Sequence, residues 1–237
     1  MGCAGSQPHA PPVVQFCGAI EVAPWGVLGQ AMGDSPWQPK QVAPKPDSSM
    51  MIVDPASSNV IEDDHYSPGN AGGASGAIYR FLGIANDATF PPDVVATLRG
   101  GKIAYKRYGY PDAFHVIHVV GPDFKNAPDG LVEQEAIDQL ASVYLDILTA
   151  ARIHGRQLLR ILPVSSGIYA GRFRPQMPNI TVAALLAAFE LFERANPAHA
   201  KELAPHGDRR IQLCIYDAKD CAEYRDALRN ARLNLQK

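Results

Sequence analysis

The sequence is poor in cysteine, and its four cysteines lack the paired spacing that a zinc site or a redox dithiol needs. Cys3 and Cys17 lie near the amino terminus, whereas Cys214 and Cys221 lie near the carboxyl terminus. A chain of 237 residues can bury one sizeable core without disulfide bonds. We therefore expect a cytoplasmic protein with neither a structural metal nor a cofactor.

Long hydrophobic runs and long basic runs are also missing. No apolar run approaches the roughly 20 residues that span a bilayer. The first residues lack the basic start and the apolar stretch of a secretory signal. A formal net charge of −2 and the lack of a Lys/Arg stripe argue against nucleic acid as a direct partner. We expect a soluble monomer that contacts membranes, if at all, only through its amino terminus.

The amino-terminal residues 1–12 are small, polar and proline-rich, which predicts a flexible tail. Gly2 followed by Ser6 fits the N-myristoylation pattern, and Cys3 is available for palmitoylation. Two acyl chains would anchor the protein firmly, whereas one chain would not. The alternative is a chance match in a tail of small residues, and the sequence favours neither interpretation.

Residues 13–237 are predicted to form one domain in which strands and helices alternate. The stretch 23–49 is dense in proline and glycine and predicts a loop that forms neither helix nor sheet. Alternating strands and helices predict an α/β three-layer sandwich, with a mixed, mostly parallel sheet and helices on both faces. The predicted strands are Val13–Ile20, Met50–Val53, Phe114–Val120, Leu158–Val164 and Ile211–Tyr216, and the predicted helices are Ala77–Leu82, Leu131–His154, Ile180–Arg194 and Lys219–Leu233.

Two loops rich in glycine and serine lie where such a sheet binds ligands, outside the carboxyl ends of the strands. We call them the first glycine loop (Asn70–Gly76) and the second glycine loop (Ser165–Gly171). Glycine lets a backbone approach a ligand closely, and a helix amino terminus adds a partial positive charge that suits phosphate. Either loop alone is weak evidence, because similar turns often have no ligand.

Taken together and in this order, four segments resemble the macro domain family. MIVDPASS (51–58) corresponds to the family's V-N-A-A-N-S, and AGGASGAI (71–78) corresponds to G-G-G-V-x-G-A-I. VIHVVGP (116–122) resembles V-I-H-T-V-G-P, and LPVSSGIY (162–169) resembles P-A-I-S-T-G-I-Y-G. The resemblance runs from about Met50 to the carboxyl end and is specific as a set.

The resemblance implies a pocket for ADP-ribose. It assigns the first glycine loop to the distal ribose and its phosphate, the second glycine loop to the diphosphate, and Tyr216 to stacking on adenine. The implied ligand-binding residues are Ile20, Ser57, Gly72, Gly73, Ala74, Ser75, Ser165, Ser166, Gly167, Ile168, Tyr169 and Tyr216.

Several positions depart from the family pattern. Ala19, in Gly18-Ala19-Ile20, stands where the family has an adenine-contacting Asp, and Glu21 would compensate because it shares a strand face with Ala19. Ser57 replaces an Asn at the distal ribose. Ser75 stands where members that cleave ADP-ribose from proteins often have an Asp, and Asp54 stands where the family has an Asn.

An insertion at 59–70 carries four metal-ligand or acid–base side chains in a row: Glu62, Asp63, Asp64 and His65. The alternative is a solvated acidic loop. Adjacent carboxylates favour this alternative, because their side chains point apart unless the fold gathers them. The catalytic candidates are Asp54, His65 and Asn70. His118, inside an apolar strand, is expected to be a satisfied core histidine.

The sequence therefore predicts a reader of ADP-ribose or of ADP-ribosylated proteins. One alternative is a hydrolase of low activity that removes ADP-ribose from proteins or acts on O-acetyl-ADP-ribose or ADP-ribose phosphate. A second alternative is a membrane-tethered scaffold whose pocket has degenerated.

Overall fold

The centre of the fold is a mixed β-sheet. A computed structural model describes residues 12–33, 38–101, 103–109, 113–200 and 210–236. The strands are β1 (Ile20–Ala23), β2 (Gln30–Ala31), β3 (Lys40–Gln41), β4 (Met50–Asp54), β5 (Ile103–Tyr108), β6 (Phe114–Val119), β7 (Leu158–Ile161) and β8 (Arg210–Cys214). Six of them form a sheet in the order β1-β8-β7-β4-β6-β5. All its neighbours are parallel except β5, which runs antiparallel to β6 at one edge.

Helices cover both faces of the sheet. They are α1 (Pro12–Ala19), α2 (Asn59–Glu62), α3 (Gly73–Leu82), α4 (Pro92–Gly100), α5 (Glu133–His154), α6 (Met177–Ala195), α7 (Pro197–Ala200) and α8 (Ala218–Asn234), with 3-10 turns at Pro68–Asn70 and Ile168–Gln176. Side chains alternate across β4, so Met51 and Val53 join the core under α5, α6 and α8, whereas Ile52 joins the core under α3 and α4. This confirms the predicted α/β sandwich.

The first predicted strand, Val13–Ile20, is wrong over most of its length, because these residues form α1 and the strand starts only at Ile20. Phe16 is fully buried and stacks on Phe189 of α6, with ring centroids 3.9 Å apart. The guanidinium of Arg232 donates to the carbonyl of Cys17 at 2.9 Å, near the end of α1. Packing against α6 and α8 therefore decides the conformation of a run whose pattern fits either element.

The described residues of the stretch 23–49, which we call the arm (23–33 and 38–49), contain a short hairpin that was not predicted. Gln30 and Ala31 pair antiparallel with Gln41 and Lys40 in a short hairpin. Arg160 of β7, only 2% exposed, donates to the carbonyls of Val27 at 3.2 Å and Pro44 at 2.9 Å. These hydrogen bonds hold the arm against the part of one sheet face that β7 and β8 form.

Other boundaries were missed in the sequence. The strand predicted at Leu158–Val164 ends at Ile161, shortly before Pro163, which has no N–H to give a ladder. Helix α4 and the edge strand β5 were not predicted at all. Within the described ranges, no helix is long and apolar enough to cross a membrane. Cys17, Cys214 and Cys221 are buried free thiols, and burial raises the pKa of Cys214 to about 12.

Candidate functional site

The candidate site lies at the sheet edge where the five parallel strands β1, β8, β7, β4 and β6 end. The chain leaves these ends through residues 24–29, 215–217, 162–167, 55–58 and 120–123. Because parallel strands share one direction, these five loops meet at the same edge.

Hydrogen bonds join the loop after β4 to both glycine loops. Ser75 Oγ, in the first glycine loop, donates to the carbonyl of Pro55 at 3.1 Å. Ser57 Oγ lies 2.8 Å from the hydroxyl of Tyr169, in the second glycine loop. The loop after β4 is thus fixed between the two glycine loops, and both predicted serines act as structural links.

Glycines of the first loop fall into two kinds. A Cβ added to Gly72 or Gly73 would meet no protein atom within 4 Å. A Cβ on Gly76 would collide with the carbonyl of Ala71, so Gly76 is needed for internal packing. Gly72 caps α3, and the first N–H groups of that ten-residue helix have no intrahelical partner. The Cβ positions of Gly72 and Gly73 therefore face open space beside N–H groups that have no intrahelical partner.

The second glycine loop has an unusual backbone at Ser165. Its φ of 58° is the only positive value at a non-glycine residue in the described ranges, and such a conformation costs about 1–2 kcal/mol. Its Oγ donates to the carbonyl of Pro122 at 2.6 Å, which fixes the turn. Gly167, two residues on, again has open space at its Cβ position. Turns of this kind point successive N–H groups into one concavity.

A recess of about 300 Å³, counting space open to solvent, lies between the ends of β4, β6 and β7. Ser58 and Asp123, which help to line it, were not among the predicted site residues. Asp123 Oδ1 accepts from the backbone N–H groups of Lys125 and Asn126 at 2.9 and 3.2 Å, so the carboxylate is used by its own turn. In the sequence, the only sign that Asp123 lies at the site is the Gly-Pro pair that precedes it. The lining residues are Pro55, Ala56, Ser58, Gly121, Asp123, Val164, Ser165 and Tyr169.

Tyr216 lies just beyond β8, away from the recess along the same row of strand ends. It is 37% exposed, and its ring comes within 3.5 Å of the Cβ position of Gly26, in the loop after β1. Its carbonyl accepts from the N–H of Met32 at 3.1 Å. The arm therefore packs beside Tyr216, and a side chain at position 26 would make ordinary van der Waals contact with the ring.

Ile20 does not belong to this site. It is 3% exposed and starts β1 opposite Ile211, at the end of the strand away from the glycine loops. Glu21 does not compensate for Ala19 either, because it lies opposite Gln212 and accepts from its side chain at 3.0 Å. The alignment failed because β1 begins where the sequence predicted that it would end.

Asp54 is buried rather than presented to the site. Its Oδ2 lies 2.7 Å from His118 Nδ1 and accepts from the Tyr79 hydroxyl at 2.8 Å, and both Asp54 and His118 are fully buried. His118 Nε2 lies 2.8 Å from the Tyr108 hydroxyl. An ionised carboxylate only accepts, so it pairs with the His118 tautomer that carries its proton on Nδ1. Burial, and secondarily Asp54, raises the pKa of Tyr79 well above its usual value.

His118 is thus a satisfied core histidine, as predicted. Asp54, in contrast, fails as a catalytic candidate because no solvent reaches its carboxylate. Its Oδ1 has no hydrogen-bond partner among the described residues.

The insertion 59–70 packs against α4 instead of gathering its ligand-type side chains. Arg99 of α4 pairs with Asp64, and its Nε donates to the carbonyl of Ile61 at 3.1 Å. His65 is exposed, and its N–H donates to Asp63. In the described part of the chain, no group of three or more His, Cys, Asp or Glu side chains could hold a metal ion.

The remaining predicted residues lie on the two glycine loops. Asn70 and Ala74 are exposed, and Ile168 is 76% exposed, which is unusual for a large apolar side chain. Ser166 Oγ donates to the carbonyl of Pro163 at 2.8 Å. Gly2 and Cys3 lie outside the described residues.

Comparisons with known proteins agree with this geometry. The Macro domain family model matches residues 63–176. No curated protein matches the sequence. The fold is similar to the Oceanobacillus iheyensis macrodomain with ADP, at 16% identity and a TM-score of 0.50 over 76% of this chain and 83% of that chain. It is also similar to a mutant of that macrodomain with ADPR, at 15% identity and a TM-score of 0.52 over 76% and 85% of the two chains.

The Trypanosoma brucei macrodomain in complex with ADP is 18% identical, with a TM-score of 0.51 over 96% of this chain and 79% of that chain. The TM-scores show a shared fold, and the family match covers both the first glycine loop and the second. Residues 63–176 match the Macro domain family model, and the described chain has the fold of macrodomains.

Proposed function

We propose that this protein binds ADP-ribose, free or attached to proteins, in the cleft between the two glycine loops. The observation that carries the proposal is the open space at the Cβ positions of Gly72, Gly73 and Gly167. No neighbouring protein atom requires glycine at Gly72 or Gly167, whereas a ligand that touches the backbone would. Solved macrodomains of this fold have ADP or ADPR in their structures. This supports the choice of ligand.

The two loops suit a diphosphate for electrostatic reasons. The first loop offers the amino terminus of α3, whose partial positive charge favours an anion. The second offers the turn at Ser165, where consecutive N–H groups converge. Tyr216, partly exposed beyond β8, would stack on the base. Distal ribose, diphosphate and adenine would then follow the sheet edge from the recess to the arm.

Calorimetric titration of the full chain with ADP-ribose should give a micromolar to submicromolar dissociation constant, or about −8 to −9 kcal/mol. The preformed amide-lined loops provide this affinity, because little ordering of the protein is needed on binding. Parallel titrations with ADP and NAD test which part of the ligand matters. No heat and no thermal shift at millimolar ADP-ribose would contradict the proposal and favour a scaffold with a degenerate pocket.

A reader fits this cleft better than a hydrolase. Hydrolysis at the distal ribose needs a group that orients or deprotonates a water, and such assistance contributes about 10² to 10⁴ in rate. The Asp54 carboxylate is buried, Ser75 is bonded to the carbonyl of Pro55, and the carboxylate of Asp123 is bonded within its own turn. No described carboxylate is left free beside the recess.

Release of ADP-ribose from protein modified on acidic side chains is therefore expected to be absent or slow over hours, as followed by loss of label. Asp123 and His65 are the groups to test, because one lines the recess and the other is the exposed candidate of the insertion. Rapid release that Asp123→Asn or His65→Ala weakens, but the surface change Asp226→Asn does not, would transfer the assignment to the hydrolase.

The proposal includes membrane tethering only by acylation of Gly2 and Cys3. Acylation there would hold an ADP-ribose reader at a membrane surface. We also propose that the protein is cytoplasmic and monomeric, and that ADP-ribosylated proteins are its partners.

A further inference from the structure

Arg160 is the only buried lysine or arginine among the described residues. It lies one residue before the end of β7, and its Nε donates to the side-chain carbonyl of Gln212 in β8 at 3.1 Å. Gln212 in turn donates to Glu21 of β1 at 3.0 Å, so this row of side chains holds the guanidinium in one orientation. In that orientation its Nη1 donates to the arm, at the carbonyls of Val27 and Pro44.

A buried guanidinium is an unfavourable way to attach a loop if stability is the only requirement. Its removal from water is costly, and apolar side chains of similar volume often serve stability as well or better. Val27 and Leu28 of the arm are already buried in the core under α3 and α4. Apolar contacts have no direction, whereas hydrogen bonds to two carbonyls fix where the arm lies. The bonds of Arg160 therefore indicate that the arm needs accurate placement.

The arm has two limbs, residues 26–32 and 40–44, which are joined closely. The carbonyl of Gly29 accepts from two N–H groups of the opposite limb, both at 3.0 Å. Gly29 has a φ of 76°, and a Cβ there would lie only 2.5 and 2.7 Å from two carbonyl oxygens of the opposite limb. Because Arg160 bonds to one carbonyl on each limb, it positions the two limbs as a unit.

The first limb, 26–32, touches Tyr216 at two points. The N–H of Met32 donates to the Tyr216 carbonyl at 3.1 Å, and the Cβ position of Gly26 lies 3.5 Å from the Tyr216 ring. Met32 is 42% exposed, so this limb borders solvent beside the ring. A continuous set of contacts thus leads from Arg160 through the arm to the residue that we propose stacks on adenine.

We propose that Arg160 is a positioning residue for base recognition: by placing the arm, it fixes the Tyr216 ring in the orientation that stacks on the adenine of ADP-ribose. The inference rests on the proposed binding of ADP-ribose. It assigns recognition of the base to the arm and Tyr216, and it leaves the diphosphate to the glycine loops. Weakening the link between Arg160 and Tyr216 should therefore reduce the contribution of the base and leave that of the phosphates unchanged.

The test compares ADP with inorganic pyrophosphate, which has no base. Calorimetric titration of the full chain measures ADP binding, and competition with ADP measures pyrophosphate binding. Arg160→Met, which keeps an unbranched side chain but removes the donors, should weaken ADP binding at least about fivefold, the smaller loss expected for one base stacked on an aromatic ring. Its pyrophosphate binding should be unchanged. The matched control Arg194→Met changes an exposed arginine of α6 and should bind both probes normally.

A second variant tests the same link at the surface, in case Arg160→Met does not fold. Met32→Pro removes the N–H that donates to the Tyr216 carbonyl, because proline has no backbone N–H. Ala31 before it lies in a strand, and an extended residue can precede proline. Met32→Pro should lose affinity for ADP but not for pyrophosphate. Met32→Ala keeps the N–H and is its matched control.

A double-mutant cycle identifies Tyr216 as the residue through which Arg160 acts. Once Tyr216→Ala has removed the ring, Arg160→Met should cost little further ADP affinity, whereas independent effects would add. Failure of the wild type to bind ADP-ribose would overturn the proposed function and this inference together. If the wild type binds ADP-ribose, three results would overturn this inference alone: no loss of ADP affinity in the variants, equal losses for ADP and pyrophosphate, or additive losses in the cycle.

Discussion

Glutamate in place of Gly72 or Gly167 is expected to abolish ADP-ribose binding while leaving the fold intact. The Cβ of either residue would meet no protein atom within 4 Å, so the side chain fits there and would occupy the space that we propose for the phosphates. A carboxylate about 4 Å from a phosphate charge repels it by about 4 kcal/mol at an effective dielectric constant of 20, roughly a thousandfold in the dissociation constant. Calorimetry measures the loss, and thermal melting checks the fold.

Backbone conformation decides which glycines make clean variants. Gly72 and Gly167 have φ values of −95° and −87°, which other residues adopt, whereas Gly73 has φ 55° and would add strain. Gly100→Glu, at the end of α4, is the matched control because its Cβ also meets nothing within 4 Å. Normal ADP-ribose binding by Gly72→Glu or Gly167→Glu would mean that the diphosphate lies elsewhere.

The sequence was sufficient to predict where the two glycine loops lie. Glycine spacing and the strands before each loop are local features, and parallel topology then brings the loop ends to one edge. The first and second glycine loops therefore lie where predicted. Whether they contact ADP-ribose stays a prediction until it is measured.

The β1 end of the candidate site, where we propose that the base binds, could not be predicted in the same way. Val13–Ile20 is an apolar run too short to distinguish a buried strand from a buried helix. Its helical conformation depends on Phe189 and Arg232, which lie far away in the sequence. Assigning the strand too early moved Ile20 to the wrong end of β1.

The burial of Asp54 shows a different limit. Its position directly after an apolar strand suggested a side chain at the site. Alternation along β4 instead places it on the face of Ile52, under α3, and the register sets it opposite His118. The burial of the Asp54 side chain becomes evident only from the paired strand and the overlying helix.

Asp54→Ala is accordingly expected to lower the free energy of unfolding by about 3–5 kcal/mol, a large share of a typical total of about 5–15 kcal/mol. The substitution leaves a cavity and removes the acceptor for both His118 Nδ1 and the Tyr79 hydroxyl, two groups that water cannot reach. Urea denaturation followed by circular dichroism measures the change.

Asp54→Asn separates the lost charge from the lost acceptor. An amide oxygen at the Oδ2 position can still accept from His118 and Tyr79, and the amide nitrogen would replace Oδ1, which already lacks a partner. We therefore expect a loss of about 1–3 kcal/mol, the cost of one buried unsatisfied donor. Asp226→Ala, which removes an exposed pair with Arg229, should change stability by less than about 1 kcal/mol. If Asp54→Ala were as stable as Asp226→Ala, the buried pair would not be holding β4 to β6 beneath the cleft.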